Sequence, residues 1–89
     1  MSVKAIKLQP HQFIVWTAEF ATGIVLRNDN NYYHSGDEWN DVYTIFEDLD
    51  TAKDYILQKV KKNLDIECYI KDHEGKLVFF VDQRGIHTV

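Results

Sequence analysis

Several stretches of this chain are apolar on both sides of an extended backbone, while only one stretch is patterned as a helix long enough to cover a sheet. In Leu77-Val78-Phe79-Phe80-Val81, the positions Leu77, Phe79 and Val81 point one way and Val78 and Phe80 the other. Ile14, Trp16, Ala18 and Phe20 likewise oppose Phe13 and Val15, and Ile24 and Leu26 oppose Val25. Strands that are apolar on both faces are buried on both faces. A helix of about 15 residues spans only about 22 Å, enough for one side of a small sheet. The chain therefore demands a second cover beyond its helix.

The order of elements follows from local pattern. Phe13 to Phe20 is rich in aromatic and β-branched residues and reads as a strand. Ala21-Thr22-Gly23 turns the chain, and Ile24-Val25-Leu26 returns as the second arm of a hairpin. Asn28 to Asp41 reads as a long loop, since Asn28, Asn30, Asn31, Ser35, Gly36 and Asn40 favour irregular backbone. Val42 to Phe46 reads as a third strand. Leu49, Ala52, Ile56 and Val60 recur at helical spacing, with Asp48 or Asp50 as N-cap, Lys59, Lys61 and Lys62 in the last turn, and Asn63 as a left-handed C-terminal residue.

Ile66, Cys68 and Ile70 alternate with Glu67, Tyr69 and Lys71, a strand with one dry and one wet face. Asp72-His73-Glu74-Gly75 turns it into Leu77–Val81, a hairpin ended by Asp82-Gln83-Arg84-Gly85. The uncharged run Leu77–Val81 belongs inside the sheet, because at an edge it invites aggregation. The expected fold is α+β over residues 1–89 as one domain. It is a mainly antiparallel sheet of four to six strands with one helix on one face, in the order ββ-loop-β-α-ββ. The first residues, with Lys7 where an alternation begun by Val3 and Ala5 needs an apolar side chain and with Pro10 closing the stretch, make at best an edge strand.

The run Phe46-x-Asp48-Leu49-x-x-Ala52-Lys53-x-Tyr55-Ile56, continued by Lys62-Asn63 and Ile66-Glu67-x-x-Ile70-x-Asp72-x-x-Gly75-Lys76, resembles a pattern in small uncharacterised bacterial α+β domains. It covers about half the chain and consists of core, cap and turn positions, so the resemblance implies a shared fold and carries no catalytic residue across. In size and acidity the chain also resembles small immunity proteins that neutralise bacterial toxins.

Charge narrows the partners. The net charge is −4, and residues 29–54 hold eight acids against the single cation Lys53. That balance is the opposite of a phosphate-binding footprint and argues against nucleic acid as a partner. One cysteine, Cys68, forms no internal disulfide, and no apolar run approaches the roughly 20 residues of a membrane span. A contiguous signal-peptide core is absent from the first ten residues. The expected location is cytoplasmic, with no membrane partner.

Candidate chemistry is thin. Asp29-x-Asn31-x-Tyr33 opens like a calcium loop, yet His34 stands where the turn requires Gly and Asn40 where a Glu is needed. No zinc-ligand spacing, phosphate loop or nucleophile elbow occurs, and Cys68 falls on the apolar side of its strand as a small buried hydrophobe. His34, Ser35 and Asp37 lie close in sequence, but adjacency in a loop supplies no catalytic geometry. The chain is expected to be neither an enzyme nor a holder of cofactor or metal.

These readings converge on a non-enzymatic protein-interaction module, of inhibitor or immunity type or a homodimer. Its binding surface is the helix-free sheet face together with the acidic aromatic loop 29–41. The residues expected to carry it are Tyr32, Tyr33, Asp37, Glu38, Trp39 and Asp41, because aromatics anchor interfaces and acids steer cationic partners. The alternative is a small-molecule or metal-ion binding domain with its site under the same loop. The remaining expectation is that Tyr32, Tyr33 and Trp39 roof that face within the chain itself.

Overall fold

A computed structural model of the protein describes residues 7–33, 36–37 and 39–88. The arm 1–6 and the loop residues His34, Ser35 and Glu38 lie outside them. The architecture is the α+β arrangement read from the sequence: one 14-residue helix packed on an open antiparallel sheet. In chain order the elements are β1 (Phe13–Glu19), β2 (Val25–Leu26), α1 (Trp39–Val42), β3 (Thr44–Phe46), α2 (Leu49–Lys62), β4 (Ile66–Lys71), β5 (Leu77–Asp82) and β6 (Gly85–Thr88).

β1 organises the sheet. Along one edge it pairs with β4 over six positions, from Ile14↔Lys71 to Glu19↔Ile66. Its other edge is shared: β3 takes Phe13, Ile14 and Val15, while β2 takes Thr17 and Ala18. The sheet then continues from β4 to β5 to β6. Leu77–Val81 thus lies in the sheet interior, between β4 and β6.

The shared edge explains one departure from the sequence reading. Val42–Phe46 was expected to be a strand throughout, yet pairing starts only at Val15↔Thr44. Thr17 already pairs with Leu26, so a longer β3 has no room along β1. The chain instead turns through the four-residue α1, which places Val42 and Tyr43 under the sheet with 0% and 9% exposure. The long loop is correspondingly shorter and carries a bridge between Leu26 and Tyr32.

α2 forms where its pattern requires. Asp48 accepts a hydrogen bond from the Thr51 N–H at 2.7 Å, and the Thr51 hydroxyl donates to its other oxygen at 3.0 Å. That satisfies one of the orphan donors of the first turn. Ala52, Ile56 and Val60 are buried against Val15, Leu26, Ile66, Cys68, Ile70, Phe79 and Val81. At the other end Asn63 is extended, with φ −146°, not left-handed as expected. Its N–H donates to the carbonyls of Lys59 and Val60 and its side chain accepts from the Asp65 N–H, so the cap closes without a positive φ.

Two further corrections concern β5 and β6. The register slips between Ile70 and Lys71, so that Lys71 pairs with Leu77 while Ile70 pairs with Phe79. Such a bulge adds one residue to a strand and breaks its alternation, and Val78 accordingly packs against the helix-side core. The hairpin was also expected to end at Gly85, yet Asp82 pairs with Gly85 and the chain runs on as β6 to Thr88.

Candidate functional site

The face of the sheet away from α2 is where the sequence left its demand unmet, and it is covered in two different ways. Near β3 the chain roofs itself: Ile14, Val42 and Tyr43 form a second buried cluster, with Leu8, Trp16, Val25, Tyr33 and Ile45 packed against it. Beyond that roof the face is occupied by a row of rings. Trp16, Tyr69, Phe80 and His87 are successive cross-strand partners on β1, β4, β5 and β6. All four are partly buried.

The geometry of the row decides what it presents. Neighbouring centroids are 4.8, 5.4 and 4.6 Å apart, with interplanar angles of 14°, 23° and 14°. Those spacings are close to the 4.7–4.9 Å between strands. The rings therefore stand on the sheet face to face, and each inner ring has its π-surfaces turned to its neighbours. Ring edges point outward. The outer side of β4, expected to be wet, is the middle of this row, because Tyr69 is held between Trp16 and Phe80.

Charged groups frame the row. Lys71 Nζ sits 4.9 Å from the centroid of Trp16, and the Arg84 guanidinium 5.3 Å from that of Phe20. Such contacts favour a cation over a ring face. The Asp82 side chain has no exposed surface and is held by Arg84 Nη2 at 2.8 Å, the Arg84 N–H at 2.8 Å and His87 Nε2 at 3.1 Å. These bonds, the Arg84 side chain foremost, lower its carboxyl to about 2. An ionised carboxylate only accepts, so His87 Nε2 carries the proton that is shared with it. Burial is the main reason that the Tyr69 phenol is pushed above its ordinary range, followed by its hydrogen bond with Glu67.

The residues expected to form the binding surface are drawn into the fold to different degrees. Tyr33 packs against the second cluster, and its N–H reaches the Val25 carbonyl at 3.4 Å. Tyr32 is 52% exposed and its hydroxyl donates to Glu19 at 2.8 Å. The Asp37 side chain is 9% exposed, 3.3 Å from Nη1 of Arg27. Asp41 lies in α1, and its carbonyl accepts from the Asn28 N–H. Trp39 begins α1, and Glu38 is outside the described residues.

Asp29 accepts from the Asn31 N–H at 3.0 Å, so the segment that opens like a calcium loop is a side-chain-closed turn. Among the described residues no three His, Cys, Asp or Glu side chains are grouped to hold a metal, and no helix is long and apolar enough to cross a membrane. Cys68 has 0% exposure, and burial raises its thiol.

Sequence reasoning named the helix-free face but none of Trp16, Tyr69, Phe80 and His87 as residues of its site. The signal was present only jointly: each strand supplies one ring, and the pairing register alone brings them into line. Comparison of the chain with models of known protein families, with curated proteins and with solved structures finds no match.

Proposed function

We propose that the protein is a non-enzymatic interaction module whose protein partner lies over the helix-free sheet face. The observation that carries this reading is the row Trp16–Tyr69–Phe80–His87, which keeps partly open ring edges on a face the chain otherwise roofs. Aromatic groups of this kind, surrounded by charges, are what anchor interfaces. Tyr32, exposed on the loop that leads from β2 into α1, offers a further aromatic contact.

Two features favour a protein over a single-stranded nucleic acid. Bases stack on open ring faces, and in this row the inner faces are turned to one another. The strand order adds a second: β6 pairs with β5 alone among the described strands, so its outer edge can accept another strand. A strand added there meets the outer side of the His87 ring and continues the row.

A photo-crosslinking residue in place of His87, compared with one in place of Lys61 on the exposed side of α2, tests the reading in extract of the native cell. Protein adducts at position 87 and none at 61 are expected. No adduct at 87, or the same adducts at both, would overturn it. Sedimentation over a concentration series then tells a second copy of the chain from a different protein.

A further inference from the structure

We infer a second binding site on the opposite side of the sheet, in a groove that suits a small apolar molecule bearing one carboxylate. The groove runs along α2 beside Phe46 and is lined by Thr51, Asp54, Tyr55, Gln58, Lys59 and Lys62. Its volume is about 540 Å³, within the range of small-molecule sites. Phe46 and Tyr55 form its apolar wall, their centroids 5.1 Å apart and their planes tilted by 46°.

Charge identifies the occupant. Lys59 is partly buried, and its ammonium donates to the Thr17 hydroxyl at 3.1 Å and the Asn28 carbonyl at 3.2 Å. Both acceptors are neutral. The ammonium also lies 5.6 Å from the Tyr55 ring centroid, and among the described residues no carboxylate lies within ion-pairing distance of either Lys59 or Lys62. A partly buried cation without a counter-ion favours an anion that arrives from outside.

The opposing charges are weaker or further away. The carbonyl end of α2 is worth about half a negative charge, against two full positive charges on Lys59 and Lys62. Asp54 is exposed and lies five residues before Lys59 and eight before Lys62, about 7.5 and 12 Å along the helix axis. The groove thus has a cationic end and an apolar middle. A carboxylate at Lys59 and Lys62 places an aryl or alkyl body against Phe46 and Tyr55, which selects the carboxylate over its neutral analogue.

Phenylbutyrate is a suitable probe, with its neutral amide as control, in an amide-resolved NMR titration of the whole chain. Shifts centred on Phe46, Thr51, Tyr55, Gln58, Lys59 and Lys62 are expected at millimolar acid. The amide should bind at least about tenfold more weakly. Lys59→Gln and Lys62→Gln should each weaken the acid while leaving the dispersion of the spectrum intact. If Lys59→Gln fails to fold, Lys62→Gln and the amide decide. Shifts absent from the groove, or equal binding of acid and amide, would overturn the site. Neither result bears on the helix-free face, which lies across the sheet.

Discussion

At the scale of single residues, Asp82 is the side chain on which the most contacts converge. Its carboxylate is buried and accepts from two residues on the β5–β6 hairpin. Asp82→Asn keeps the shape but removes the charge that the largely exposed Arg84 pairs with, and a loss of about 1–2 kcal/mol in urea unfolding is expected. A loss within error of zero would show that the pair adds nothing. The same residue sets a pH dependence. Its carboxyl is lowered from 3.8 to about 2, so its contribution is complete above 3.8 and is lost as pH falls toward 2. Hydrogen bonds also lower Asp48, Asp72 and Glu47. Stability should therefore decline below about pH 4, with a shallower decline in the Asp82→Asn variant. At Cys68, fully buried beside Thr17, a thiol reagent should react only as fast as the protein opens. Rapid labelling of the native protein would contradict that placement.

At the scale of elements, boundaries are set by caps and by competition for partners. Asp48→Ala removes the N-cap of α2 and should cost about 1 kcal/mol, read from chemical unfolding followed by helical circular dichroism. An unchanged midpoint would mean that packing of Ala52, Ile56 and Val60 alone fixes the helix start. The β4–β5 turn is closed by Asp72, whose side chain accepts from the N–H groups of Glu74 and Lys76 at 2.9 Å. Gly75 completes it at φ +81°, which a side chain adopts only with strain, so Gly75→Ala should destabilise by about 1 kcal/mol. α1 and the true start of β3 were not legible in Trp39–Phe46. Its β-prone residues suit a strand, and only the prior pairing of Thr17 with Leu26 forbids one. β6 was missed because Asp82–Gly85 reads as an ending, whereas Gln83 and Arg84 form a tight turn into a further strand.

At the scale of the whole molecule, one sheet carries two cores. Ile56 and Val42 both have 0% exposure but belong to clusters on opposite sides of the sheet. Ile56→Ala should cost about 2–5 kcal/mol and Val42→Ala about 2 kcal/mol. Because the two sites share no partners, the double variant should show the sum within about 0.5 kcal/mol. Strong non-additivity in denaturant unfolding would mean that the roof and the helix layer act as one unit. The two candidate sites divide in the same way, the ring row on the roofed face and the carboxylate groove on the helix side.

The sequence by itself determined the amphipathic helix with its Asp48 cap, the antiparallel hairpins, and the excess of apolar strand surface over what one helix covers. Each is a local property of periodicity or turn chemistry. Only the tertiary structure decided how that excess is met, because the answer depends on which strands are neighbours and in what register. Trp16, Tyr69, Phe80 and His87 come from β1, β4, β5 and β6, with β2, α1, β3 and α2 between the first two, and no short window of sequence contains them together. Their alignment, the roof of Val42 and Tyr43, and the unneutralised Lys59 are all consequences of pairing between distant segments.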